Sequence, residues 1–329
     1  MLRRLVLFLS LCAGPAMAAC DGTDLVAALP AAERAALRAE AATHPHSEGL
    51  LWRAEKDGRM IHLVGTMHVP DPRHAATLDR IRPVLDAAEH VFLEFGEGDE
   101  ARLQRMVAEQ PELAFITEGP TLPDLLGKAD WDRLRAALSE RGVPGFLAAK
   151  MKPWMAMANL AVTACDLQDL KAGRRGLDGM VIEDAAEMGK AAEALEPLDT
   201  ALSLFAAFSQ AEQLDMLRLG LAQQAQDSAD QAVTLAEAYF REEIQLIWEF
   251  SMRQMAAHPD AAPEDLKSQI DRFEQVFVTA RNAAWIDRIL SVDGPTLVAV
   301  GAMHLPGESG LLRQLEDAGY TVTRLPLAQ

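Results

Sequence analysis

The chain has 329 residues, of which 50% are hydrophobic and 24% are charged, a balance typical of a folded globular protein. Its 49 acidic residues outnumber its 31 basic residues and give a formal net charge of -18, which argues against binding nucleic acid or anionic lipid. Three cysteines are too few for a disulfide scaffold or a four-cysteine zinc site.

Residues 1–18 have the three regions of a secretory signal peptide. Arg3 and Arg4 precede an apolar run over 5–13, and Ala16-Met17-Ala18 supplies the small residues that a signal peptidase accepts. The run is too short to cross about 30 Å of hydrocarbon. We therefore predict cleavage, export to the periplasm or the medium, and no stable membrane insertion of the mature chain. The alternative is an uncleaved N-terminal membrane anchor.

Cleavage removes Cys12 and leaves Cys20 and Cys165 as the mature thiols. Because two cysteines in an oxidising compartment most often pair, we expect a Cys20–Cys165 disulfide that ties the mature N-terminus to the body. Two unconnected thiols are the alternative. Lipid attachment at Cys20 is a further alternative, disfavoured because Met17 stands where lipoprotein signals usually have leucine.

The remaining sequence divides into an N-terminal helical extension over 19–49 and a main domain over 50–329. Hydrophobic periodicity and turn residues predict its elements in chain order: a surface helix over 24–42, a hairpin with strands over 50–53 and 60–64, a helix over 75–88, a strand over 91–95, a helical middle over about 100–290, a strand over 296–300, a helix over 311–318 and a strand over 320–325.

The strands are almost entirely apolar and do not alternate with polar residues, which is typical of a sheet that helices cover on both faces. Strands come from both ends of the chain, so the helical middle must be an insertion or cap. The sequence therefore predicts an α/β fold with a central, mainly parallel sheet built from both chain ends.

Two copies of a Gly-x-Met-His motif each follow an apolar strand. Gly65 and His68 delimit the first copy, and Gly301 and His304 delimit the second. Ligands collect beyond the carboxyl ends of parallel strands, and glycine lets the backbone turn there and leaves room for a ligand. If the two strands are neighbours, both histidines reach one centre.

A carboxylate near this edge suggests a metal. Glu94 belongs to the apolar run 91–95, where a carboxylate is costly unless it is paired or bound to a cation. Two histidines and a carboxylate are a frequent catalytic metal set that leaves positions open for water. The residues therefore predict a divalent ion held by His68, His304 and Glu94. The alternative is that each histidine only hydrogen-bonds backbone at its strand end.

Other polar residues are weaker candidates. Arg281 would hold a substrate carboxylate or pair with Glu94, unless it lies on a helix surface, and Asn282 follows it on the same helix. Asp178 and Glu196 are candidates for supporting or helix-capping residues.

These motifs also carry a resemblance to a known family. The sequence contains GTMH at 65–68, GLD at 176–178, LE at 195–196, RN at 281–282 and GAMHLPGESG at 301–310. In these segments it resembles the TraB/PrgY/GumN family, which includes the Tiki proteases of animals.

The resemblance implies a metal-dependent protease centre at His68, His304 and Glu94, with manganese or cobalt as the ion and Arg281 as a helper. The family is similar to erythromycin esterases and to haem-binding proteins, and bacterial members lie near polysaccharide genes.

Two functions follow as hypotheses. The first is an exported hydrolase of peptide or ester bonds that uses manganese, cobalt or zinc and acts on a peptide or small molecule. The alternative is a non-catalytic periplasmic protein that binds a ligand or a metal, for example in polysaccharide export.

Overall fold

The computed structural model describes residues 22–257 and 263–327. The predicted signal peptide and Cys20 lie outside the described residues, so signal cleavage and the Cys20–Cys165 disulfide stay predictions. Cys165 lies on a short helix, Ala164–Lys171, in the helical middle.

A six-stranded sheet forms the centre of the fold. Its strands are β1 (Leu51–Lys56), β2 (Arg59–Thr66), β3 (His90–Leu93), β4 (Ala192–Ala194), β5 (Thr296–Gly301) and β6 (Thr321–Leu325). They lie in the order β4-β3-β5-β2-β1-β6. The four strands from β4 to β2 run parallel, whereas β1 pairs antiparallel with both β2 and β6. The predicted α/β fold with a mainly parallel sheet is confirmed.

The order of the strands follows from local turns and from the buried apolar runs. Asp57 and Gly58 both have positive φ angles, 50° and 81°, as a two-residue hairpin turn between β1 and β2 requires. The apolar β5 inserts between β2 and β3, which places strands from the two chain ends side by side. β4 comes from the helical middle and was not predicted, because three residues are too few to show a strand pattern.

Helices make up most of the rest of the chain. In the described residues they are α1 (Leu25–Ala28), α2 (Ala31–Ala41), α3 (His74–Ala87), α4 (Asp99–Glu109), α5 (Leu122–Leu126), α6 (Lys128–Glu140), α7 (Gly145–Ala148), α8 (Pro153–Ala161), α9 (Ala164–Lys171), α10 (Leu177–Glu187), α11 (Leu198–Ser203), α12 (Gln210–Phe240), α13 (Ile244–Ala256), α14 (Pro263–Glu274), α15 (Ala280–Leu290) and α16 (Leu311–Asp317). A π-helical turn, Gln275–Thr279, joins α14 to α15. None of the described helices is both long and apolar enough to cross a bilayer.

Helices cover the sheet on both faces, as the apolar strands predict. On one face α15 and α16 contribute Trp285, Leu311 and Leu315 to a core that includes Phe92 and Val298 of the sheet. On the other face, α3 and α10 pack against the alternate strand residues through a second core that comprises Leu51, Val64, Leu78, Ile81, Leu85, Ala88, Val91, Leu93, Leu177, Val181, Ala185, Ala192, Leu297 and Ala299. Burial of these side chains is the main force that fixes the three layers.

The helical middle has an apolar core of its own, drawn from α5 to α8 and from α12. The N-terminal segment differs from its prediction. It forms two helices that are separated at Pro30, and Val26 and Leu37 are buried against α12 and α13. The predicted surface helix is therefore partly a core element.

Candidate functional site

The parallel register brings the two Gly-x-Met-His motifs to one edge of the sheet. β2 and β5 are direct neighbours, and Thr66 of the first motif is aligned with Gly301 of the second. β3 lies on the other side of β5 and ends at Leu93, so Glu94 emerges at the same edge. The condition that the sequence left open, neighbouring strands, is met.

The space in front of Gly301 is the meeting point of these side chains. A Cβ atom on Gly301 would lie 2.9 Å from Glu94 Oε1, 3.7 Å from His68 Nε2 and 3.7 Å from His304 Cδ2. Because glycine has no side chain, the Glu94 carboxylate and both imidazoles can lie this close to the backbone. At Gly65 the nearest atoms belong to Ala302, whose Cα would lie 2.9 Å from a Cβ there. Only the second glycine is therefore surrounded by the candidate site residues.

His304 is buried and its hydrogen bonds define its tautomer. The Asn282 amide nitrogen donates to the carbonyls of His304 and Ser309, at 3.1 Å and 3.0 Å. The Asn282 oxygen therefore accepts, and it lies 2.7 Å from His304 Nδ1, which must carry the proton. The lone pair is then on Nε2, 3.2 Å from Arg281 Nη1. Burial lowers the pKa of His304 to about 4, and the positive charge of Arg281 also acts to lower it.

Arg281 is the hub of the buried network. Its Nη2 donates to Glu94 Oε2 at 2.7 Å and to Glu196 Oε1 at 2.6 Å, and its Nε donates to both oxygens of Glu196. The guanidinium lies 4.4 Å from the centre of the Trp285 ring, whose Nε1 donates to Glu196. Of the roles that the sequence left open for Arg281, the structure shows the ion pair with Glu94. The residue is 9% exposed and so is not a surface arginine.

Glu94 is buried and ionised. Its Oε1 accepts the backbone N–H of Gly301 at 2.7 Å, while its Oε2 faces Arg281. Burial acts to raise the pKa of Glu94, but nearby positive charges and the Gly301 amide outweigh it and lower the pKa to about 2. Because His304 is neutral at neutral pH, Arg281 is the buried cation that stabilises the negative charge of Glu94.

His68 lies at the mouth of the centre, with 58% of its side chain exposed. Its Nδ1 is 3.3 Å from Asp178 Oδ2, in the first turn of α10. Gly176, just before that helix, lets the chain approach closely, because any Cβ there would overlap the His68 carbonyl. Burial acts to lower the pKa of His68, but Asp178, by hydrogen bond and charge, and Glu94 raise it to about 9. Solvent screens part of this attraction because the side chain is largely exposed.

The sequence analysis missed two aromatic residues of this network. Tyr239, at the end of α12, donates its hydroxyl to the Gly65 carbonyl at 2.8 Å, and nothing in the local sequence indicates this long-range contact. Trp285 follows Arg281 by four residues on α15, a spacing that places both on one helix face. That spacing was a usable signal for Trp285. Asp178, Glu196 and Asn282 all contact the centre, and their functional roles stay predictions.

The predicted metal ligands are close together but do not fit an ion as they are arranged. One oxygen of Glu94 and the lone pair of His304 both face the guanidinium of Arg281, and the other oxygen of Glu94 accepts from Gly301. His68 is not blocked in this way, because Asp178 contacts its Nδ1 and leaves Nε2 free, an arrangement that is also common for metal-ligating histidines. Within the described residues, no group of three histidine, cysteine or acidic side chains has the arrangement of a metal site. A divalent ion at this centre stays a prediction.

Comparison with known proteins places the whole main domain in one group. A family model described as the TraB/PrgY/gumN family matches residues 50–324. The chain belongs to this family. The match to the TraB/PrgY/gumN model starts just before β1, ends within β6 and contains every residue of the network described above. No curated protein matches the chain.

Proposed function

We propose that this chain is an exported hydrolase that cleaves a peptide or ester bond in the space in front of Gly301. One observation carries the proposal: an ionised carboxylate, Glu94, and a solvent-accessible imidazole, His68, both lie against Gly301. A carboxylate and a protonated imidazole at one place are the residue types of a general base and a general acid, and the ion pair with Arg281 makes Glu94 a weak base. The signal peptide predicted over residues 1–18 supports export.

In the proposed step a water molecule in this space donates a hydrogen bond to Glu94 Oε1. The water oxygen attacks the substrate carbonyl carbon while Glu94 takes its proton. Protonated His68 then gives its proton to the leaving oxygen or nitrogen as the bond from carbon to that atom breaks. A proton passes from Glu94 to His68 through solvent, and both groups return to their starting states.

The buried network supports this step by orientation. Arg281 and the Gly301 amide each bind one oxygen of Glu94, so the carboxylate cannot rotate away from the open space. Glu196 and Trp285 hold Arg281 from behind. Asp178 would orient His68 and stabilise its protonated form, because it binds the ring nitrogen that faces away from the reaction.

A divalent ion is the other route to hydrolysis, and His68, His304 and Glu94 would be its ligands. Bound manganese, cobalt or zinc would activate a water molecule and polarise the carbonyl. As arranged, these residues do not fit an ion, so no step above passes through one. The substrate, whether a peptide or a small ester, belongs to the proposal as well.

The test is a screen of the purified mature protein against fluorogenic peptides and nitrophenyl esters, with a chelator and with each added ion. We expect turnover by wild type in the chelator. His68→Ala should lower kcat/KM by a factor of about 10²–10⁴, the usual worth of one acid or base. His90→Ala is the matched control, because His90 lies at the opposite end of β3. Turnover only with an added ion would support the metal route, and no turnover at all would favour the non-catalytic binding protein.

A further inference from the structure

We infer that the Arg281 guanidinium is the resident cation of this centre, so that Arg281 and a divalent ion exclude each other. The inference concerns the site of the proposed function but not its catalytic step. It accounts for the disagreement between the metal site that the sequence predicts and the contacts that its ligands make.

The atoms of Glu94 and His304 that would bind an ion already contact Arg281. An ion held by Glu94 and His304 would need a carboxylate oxygen and the lone pair on His304 Nε2. Arg281 lies against both, with Nη2 2.7 Å from Glu94 Oε2 and Nη1 3.2 Å from His304 Nε2. The His304 lone pair has no other position, because Nδ1 is committed to Asn282.

The charge of Arg281 would also repel an ion at this centre. The ion would lie within a few ångströms of a guanidinium that cannot lose its proton. Both charges are positive, and the buried surroundings screen them far less than water does. Ion and guanidinium would therefore compete for Glu94, the carboxylate that both require.

Contacts with Glu196 and Trp285 keep Arg281 from moving aside. Glu196 accepts from Nε and from Nη2, and Glu196 is itself held by Trp285 Nε1 at 3.2 Å. The guanidinium stacks on the Trp285 ring from the same helix. If Arg281 moved away, Glu196 would remain buried without its cation, a costly state.

The experiment measures Mn²⁺ uptake by mass spectrometry and by titration calorimetry on the purified mature chain. The double variant Arg281→Ala/Glu196→Gln removes the guanidinium together with the second carboxylate that it neutralises. Its matched control is Arg288→Ala/Glu193→Gln, which removes an exposed ion pair between the same helix, α15, and the neighbouring strand, β4. Both double variants leave His68, His304 and Glu94 intact.

We expect wild type and the control to retain no stoichiometric Mn²⁺. The Arg281→Ala/Glu196→Gln variant should bind one ion at least about 100-fold more tightly than wild type, because the guanidinium no longer faces Glu94 Oε2 and the His304 lone pair. Adding His304→Ala to that variant should abolish the gain. Wild type that binds one ion as tightly as the variant would overturn the inference, and so would a folded variant that takes up no Mn²⁺.

Stability gives a second readout if the double variant unfolds. An ion that replaces the guanidinium binds only the folded chain, so Mn²⁺ in the refolding buffer should restore folding. Failure of Mn²⁺ to restore it also overturns the inference. Ion uptake does not require turnover, so these outcomes stand whether or not the substrate screen finds a product.

Discussion

The two Gly-x-Met-His motifs are nearly identical in sequence, yet the fold gives their histidines opposite surroundings. His304 is 5% exposed, neutral and bound at both ring nitrogens. His68 is largely exposed and pairs with a carboxylate at Nδ1. Their pKa values shift in opposite directions for this reason. A repeated motif therefore brings two histidines to one edge of the sheet, but their burial and partners, and so their protonation, differ.

The difference arises from the helix that packs over each strand exit. α15 lies against the second exit and presents Arg281, Asn282 and Trp285 to His304. At the first exit the start of α10 presents Asp178 to His68, and the end of α12 presents Tyr239 to the Gly65 carbonyl. The glycines differ in the same way, because the Ala302 backbone lies against Gly65 whereas Glu94 and the two imidazoles lie against Gly301.

The largest expected effect that separates the motifs is on stability. His304→Ala should lower the free energy of unfolding by about 2–5 kcal/mol, because it leaves a cavity beside Trp285 and an unpaired Asn282 oxygen. His68→Ala should cost less than about 1 kcal/mol, since its contact with Asp178 is largely exposed. Urea unfolding of both variants measures the difference, and equal losses would contradict the asymmetry.

The glycines give the next comparison. Gly65→Ala should destabilise the fold by about 1–3 kcal/mol, because the new methyl group meets the Ala302 backbone. Gly301→Ala meets Glu94 Oε1, which Arg281 and the Gly301 amide hold in place, so its cost in stability should be comparable. The same methyl group fills the proposed reaction space, so kcat/KM should fall by about tenfold or more. Thermal unfolding and kinetics together check both expectations, and full activity in Gly301→Ala would contradict the proposed location of the reaction.

The pH dependence of stability should also divide between the motifs. Because folding raises the pKa of His68 above its usual value of 6.5, its contribution is complete below about pH 6.5 and is lost as the pH rises through the raised pKa. Folding lowers the pKa of His304 to about 4, so its contribution is lost as the pH falls from 6.5 to 4. Glu94, with a pKa of about 2, loses its contribution as the pH falls from 4.5 to 2.

NMR titration of the imidazole resonances, assigned with His68→Gln and His304→Gln, checks these directions. One resonance should titrate well above pH 6.5 and one well below it. The His68→Gln variant should also lose the decrease in stability above pH 6.5. Two histidines that both titrate near pH 6.5 would show that their surroundings are alike.

The smallest expected effect isolates Asp178. Asp178→Asn keeps the size of the side chain but removes its charge, so the pKa of His68 should fall while that of His304 stays low. Stability should change by no more than about 1 kcal/mol, as for other exposed ion pairs. The NMR titration measures both shifts, and an unchanged His68 pKa would remove Asp178 from the site.

The contents of the centre were largely predictable from sequence because most of its residues stand beside recognisable signals. His68, His304 and Glu94 each follow a buried apolar strand, and parallel strands bring their ends to one edge. The role of Arg281 could not be decided from the sequence, because an arginine on an amphipathic helix is usually predicted to be exposed. The role of Tyr239 could not be predicted, since its contact with Gly65 joins residues that lie 174 positions apart.

The sequence by itself determined the fold class, the position of each motif at a strand end and the residue types involved. Local periodicity, turn residues and apolar runs act over a few positions, and they encode these features directly. Only the tertiary structure decided that a guanidinium lies between Glu94 and His304, and that one histidine is buried and the other exposed. Protonation and ion binding depend on burial and on neighbours from distant segments, which packing alone brings together.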